Sequence, residues 1–121
     1  IRRAEAEGRV DLVDGDAEIA PGVRAVVVGG HAPGPLVLQV AIPRGRRLVL
    51  ASDAVHYDDE LEHERPFAVF SDLAGMYRGY HAVRELAGPD GIVVPGHDPS
   101  VMARFPPLPG EAGAFGVDLT A

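Results

Sequence analysis

Three short apolar runs constrain this chain most, because each one stops at a residue able to bind a metal. Leu48-Val49-Leu50-Ala51 leads through Ser52 to Asp53, Val26-Val27-Val28-Gly29-Gly30 leads to His31, and Ile92-Val93-Val94-Pro95-Gly96 leads to His97. Apolar runs bounded by turn formers read as buried strands. An open α/β sheet sets its working groups at the carboxyl ends of such strands. Two imidazoles and a carboxylate form a donor set that a borderline divalent ion accepts. Taken singly, each residue keeps a plainer reading: His31 as a loop histidine, Asp53 as a turn former or cap, and His97 as a structural histidine.

The rest of the pattern predicts a small mixed sheet with one long covering helix. Leu36 to Ile42 is extended and apolar except for Gln39, and Pro43-Arg44-Gly45-Arg46 turns it back into Arg47 to Ala51. That connection is too short for a parallel crossover, so the pair reads as an antiparallel hairpin. His31 and Asp53 bracket it and fall at the same end of the sheet. Leu73, Met76, Tyr80, Val83 and Ala87, with Tyr77 beside them, form a helical stripe that Ser71 or Asp72 caps and Gly88-Pro89 ends. His81 is expected beside that stripe. The acidic run from Asp58 to Arg65, with His63 in it, reads as a solvated turn or a short helix.

Val10 to Val13 and Ala17 to Ile19 are short strand candidates, and Ser100 to Arg104 is a helical turn. Residues 1–121 read as a single partial domain, with 106–121 a loosely ordered tail carrying at most an edge strand. Ile1 to Glu7 looks like the end of a helix stopped by Gly8, which predicts that material belongs upstream.

Composition removes several classes of function. With 46% apolar but only 6% aromatic residues, the core must be built from Val, Leu, Ala and Ile. A formal charge of -7 argues against nucleic acid and anionic membrane as main partners, since both demand positive charge against phosphate. Cysteine is absent, so disulfides and thiolate ligands are excluded. No apolar run is long enough to span a bilayer, and a cytoplasmic protein is the expectation.

Three ordered motifs carry a family resemblance: Gly30-His31-Ala32-Pro33-Gly34, Leu50-Ala51-Ser52-Asp53-Ala54 and Pro95-Gly96-His97-Asp98. With them, from about Val10 to Phe105, the chain resembles the C-terminal half of a metallo-β-lactamase-fold hydrolase. Its nearest likeness is the branch that contains the N-acyl homoserine lactone lactonases. Pro66-Phe67 and the helix around Met76 to Tyr80 fit the same branch.

The resemblance implies half of a four-layer αββα sandwich. In it His31 would hold one metal and His97 the other, with Asp53 bridging them. Two zinc ions are implied for the complete domain and one or none for this chain alone. A metal-bound hydroxide would attack a lactone or ester carbonyl, with His56 or Tyr57 donating to the substrate oxygen, so Asp53, His56 and Tyr57 are the catalytic candidates. Asp98 would orient His97 or a neighbouring loop. Phe67, Phe70 and Met76 are open as acyl-chain contacts or as core.

The sequence also departs from the family. The His-x-His-x-Asp-His motif that supplies the first ligands is absent, and Pro35 stands where a second histidine is common. His56 replaces the tyrosine that follows the bridging aspartate by three places, with Tyr57 one later. Two classes of function follow. One is a hydrolase whose other half lies outside these residues; the other is a catalytically silent half-domain acting as a structural or binding partner. A lone half would expose its inner sheet face and recruit the missing N-terminal half, self-associate or be only marginally stable.

Overall fold

The structure, a computed structural model, describes residues 2–121. Five strands form one mixed sheet in sequence order: β1 (Ala17–Ala20), β2 (Val23–Val27), β3 (Leu36–Ala41), β4 (Arg47–Ser52) and β5 (Ile92–Pro95). The first four are antiparallel, and β5 lies parallel to β4. A parallel neighbour requires a long crossover. Here it comprises α2 (Asp58–His63) and α3 (Leu73–Ala87). The expected hairpin is β3–β4, closed by a short 3-10 turn in which Arg44 and Gly45 take positive φ. Short helices α1 (Arg2–Ala6) and α4 (Val101–Arg104) stand near the two ends.

Strand alternation gives the sheet two unlike faces. Val26, Val37, Val49 and Ala51 point to α3 and form the core with Met76, Tyr80, Val83 and Ala87. Gln39 shares this face, and its side-chain amide donates to the Leu86 carbonyl at 2.7 Å, satisfying one of the open carbonyls of the helix end. The other face carries the cross-strand pairs Val23–Val40, Ala25–Leu38, Val27–Leu36, Leu38–Leu50 and Leu48–Ile92. Every one of these residues is apolar. The long helix packs on the first face, and Val27 and Leu36 on the second are exposed.

Several sequence expectations need correcting. Val10 to Val13 form no strand, and Leu12 is 83% exposed, because β1 is the edge of the sheet and no further strand pairs with it among the described residues. Leu73 is exposed although it opens the stripe, while Gly75 and Gly79 are buried with Met76 and Tyr80. His81 lies on the solvent side of α3 and pairs with Glu85 at 3.5 Å. In the tail a single bridge joins Pro107 to Val117 around a 3-10 turn at Gly110–Ala114, so the expected edge strand is reduced to one pair. No helix among the described residues is long and apolar enough to cross a membrane.

Candidate metal centre

The three strand ends meet. His31, Asp53 and His97 line one pocket at the carboxyl end of β4 and β5, together with His56, Tyr57, Phe67 and Val69. Each reaches it by a different local device.

His31 is placed by glycine. Gly30 has φ +95, and a Cβ there would stand 2.6 Å from the Met76 amide nitrogen, so the loop lies directly on the first turn of α3. The Gly30 carbonyl accepts from the Ser71 and Asp72 amides, each at 3.0 Å, and from the Ser71 hydroxyl at 2.9 Å. Gly75 returns the fit, since its own Cβ would come within 2.9 Å of Gly30 Cα. The loop between β2 and β3 is thereby locked to the start of α3.

Asp53 follows Ser52, whose positive φ of 48 is unusual for a residue with a side chain. Gly96 allows the end of β5 to approach this turn, because a Cβ there would sit 2.5 Å from the Ser52 carbonyl oxygen. The same end is held by two backbone bonds, Gly96 N–H to Val55 O and His97 N–H to His56 O, both 2.9 Å. His97 Nε2 then lies 2.8 Å from Asp53 Oδ1. That hydrogen bond holds the Asp53 carboxyl below the usual carboxylate range against the opposing effect of burial, and the nearby charge of His31 adds to it.

His56 is nearly enclosed, at 4% exposure, and its ring stacks on His97 with centroids 5.3 Å apart and lies 5.0 Å from the His31 ring. Glu60 is equally buried and gathers four contacts on its carboxylate. Oε1 takes the backbone N–H groups of His56 and Tyr57 at 3.0 and 3.1 Å and lies 3.1 Å from His56 Nδ1, and Oε2 takes the Tyr80 hydroxyl at 2.6 Å. Burial, followed by this bond to Glu60, pushes the Tyr80 phenol far above its ordinary value.

The acidic run forms the expected short helix α2, with Glu60 departing from its solvated character. Glu60 belongs to the interior, while His63 pairs with Asp59 at the surface as the solvated reading expected. A signal was present: Glu60 stands four residues after His56 and three after Tyr57, the offset at which a glutamate folds back on a helix start. Asp98 does not reach His97. Its carboxylate accepts from the Asp58 amide at 2.9 Å and the Ser100 amide at 2.8 Å, so it ties α2 to the His97 loop, and those bonds hold its carboxyl low.

A divalent ion fits these residues. Asp53, His56 and His97 each offer a ligand atom within 4.8 Å of the others. His31 adds a buried Nδ1 with no hydrogen-bond partner among the described residues, which is costly unless something occupies that side. Phe67 packs 4.4 Å from the His56 ring and leaves Tyr57 on the rim, an arrangement suited to a small substrate with an apolar part.

Fold and site together define a class. The chain has the architecture of the C-terminal half of a metallo-β-lactamase-like αββα sandwich, and it is related to the N-acyl homoserine lactone lactonases. It is 36% identical over 64 residues to an N-acyl homoserine lactonase of Bacillus cereus, covering 52% of this chain and 26% of that protein. The N-acyl homoserine lactonase AttM of Rhizobium radiobacter is 33% identical over 81 residues, covering 66% of this chain and 31% of the relative.

Among solved structures, an N-acyl homoserine lactone hydrolase with N-hexanoyl-L-homoserine at its catalytic metal centre superposes with a TM-score of 0.68 and 26% identity. That match covers 78% of this chain and 38% of the other. A Bacillus thuringiensis AiiA variant bound to N-decanoyl-L-homoserine gives the same TM-score. The chain thus spans about a quarter to a third of the curated relatives it matches. No family model matches it.

Proposed function

We propose that these residues are the C-terminal metal-binding half of a hydrolase that opens lactone rings, with N-acyl homoserine lactones as the substrate class and zinc as the ion. The observation that carries this reading is the convergence of His31, Asp53 and His97 from three strand ends on one pocket. The relatedness to lactonases supports it. In the proposed complete site His31 and His97 would each hold a metal and Asp53 would be shared between them. When bound, the ions supply Lewis acidity that activates water and polarises the carbonyl. Asp53 contributes an ionised carboxylate, kept so by His97. Tyr57 and His56 line the pocket and would face the substrate oxygen, and Phe67 and Val69 would offer apolar surface to its acyl part.

Hydrolysis adds water across the ring C–O bond and gives a hydroxy acid, which releases a proton at neutral pH. A pH-stat therefore reads it directly. The longer protein containing this segment is expected to consume base on addition of N-hexanoyl homoserine lactone, and its Asp53→Ala variant to fall to background. Base uptake that is absent from the metal-loaded protein, or unchanged by the substitution, would refute the reading. Quorum quenching in a cytoplasmic setting is the role proposed for such an activity.

The missing ligands are proposed to lie on an N-terminal half bearing the His-x-His-x-Asp-His motif. The apolar second face of the sheet supports this, since among the described residues no helix comparable to α3 packs against Val23, Leu38, Val40, Leu50 and Ile92. As isolated, the chain is expected to use that face for self-association, seen as concentration-dependent sedimentation. Sedimentation as a stable monomer at high micromolar protein would contradict this. A silent half-domain is the second reading, and a self-associating chain without base uptake in the longer protein would favour it.

A further inference from the structure

We infer that His56 is itself a metal ligand: its Nε2, with the Asp53 carboxylate and the His97 imidazole, forms a three-residue site for one divalent transition ion built wholly within this chain, with Glu60 and Tyr80 as positioning residues. The inference rests on the metal-dependent reading above and changes which side chains carry it. Asp53, His56 and His97 each offer one ligand atom, and these atoms lie within 4.8 Å of one another.

The tautomer of His56 follows from its neighbours. Glu60 receives two backbone N–H groups and the Tyr80 hydroxyl, all donors. A carboxylate so surrounded is an acceptor, and the short contact to His56 Nδ1 then requires the proton on Nδ1. In neutral imidazole this leaves the lone pair on Nε2, the nitrogen remaining for the pocket. A carboxylate behind a histidine with its other nitrogen free is the arrangement that fixes and strengthens metal-ligating imidazoles. Neutral His56 is consequently a poor donor to a substrate oxygen, and Tyr57 is left with that role. Burial of the His56–Glu60–Tyr80 set also means the ring is held before any ion arrives. Pre-held ligands lose little freedom on binding.

The test uses the 121-residue chain labelled with nitrogen-15 and titrated with zinc alone. Imidazole nitrogen spectra are expected to show the His56 and His97 Nε2 resonances moving to positions typical of coordinated nitrogen at one equivalent. His56 Nδ1 should stay protonated throughout, while exposed His63 and His81 stay unchanged and serve, through their alanine variants, for assignment. Glu60→Gln is expected to weaken zinc about 10- to 100-fold in a chain that retains its circular dichroism. The wild-type spectra remain decisive should that variant not fold.

An unmoved His56 Nε2 while His97 and His31 respond would overturn the inference, as would zinc bound as tightly by folded Glu60→Gln as by wild type, or no binding by the wild-type chain. Lactone hydrolysis by the longer protein separates the two levels. If it persists while His56 stays unliganded, this inference fails and the hydrolase reading stands. If zinc binds through His56 and no hydrolysis occurs, the reverse holds.

Discussion

Replacing Gly30 by alanine is expected to destabilise the chain by about 3 kcal/mol, combining the cost of a left-handed backbone with that of overpacking. Gly30 has φ +95, and the new methyl would meet the Met76 nitrogen at 2.6 Å and the Gly75 carbonyl carbon at 2.8 Å. Both obstacles are backbone at the start of α3, so neither can rotate aside. Relief requires the loop to lift from the helix, which also withdraws His31 from the pocket and strips three hydrogen bonds from the Gly30 carbonyl. A denaturant melt followed by circular dichroism gives the energy. Alanine at Gly34, where a Cβ would meet nothing within 4 Å, is the matched control and should cost far less. Equal midpoints for the two variants would show that the loop is not locked to α3.

The second large effect is expected at Glu60. Alanine there removes the acceptor for two backbone N–H groups, for the Tyr80 hydroxyl and for His56 Nδ1, all buried except the Tyr57 N–H, which is half-buried. Leaving buried donors unpaired costs about 1–3 kcal/mol each before relaxation. Water entering the vacated space recovers part of this, so a net loss of about 3–5 kcal/mol is expected, as for a broken buried pair. Chemical denaturation of Glu60→Ala beside Glu62→Ala measures it. Glu62 is an exposed residue of the same helix, and its loss should be close to neutral. A Glu60 variant as stable as the Glu62 variant would mean that the buried carboxylate holds nothing together.

What the sequence revealed follows the range of the interactions involved. The three strand ends were legible because an apolar run and its terminating residue are local facts: Val26 to Gly30, Leu48 to Ala51 and Ile92 to Gly96 each announce their own end. The hairpin was legible because its turn is short. Gly75 and Gly79 were not, since a glycine inside a helix reads as a weak position until the partner loop at Gly29–Gly30 is known to lie against it. Glu60 was hidden for a similar reason. Its neighbours Asp58, Asp59 and Glu62 are acidic, and only the fold brings Tyr80 from twenty residues away to its second oxygen. Val10 to Val13 misled because local β propensity cannot supply a pairing partner. The continuous apolar character of β3 and β4 carried further information: strands apolar on both faces expect cover on both, and α3 provides it on one.

Bound zinc per chain tests the convergence of the strand ends most directly. After equilibrium dialysis against micromolar zinc, elemental analysis of the purified 121-residue protein is expected to find one ion per chain in the wild type and essentially none in Asp53→Ala, with both proteins folded. A wild-type chain that retains no zinc, or an Asp53→Ala chain that retains as much, would contradict a metal centre at these three strand ends.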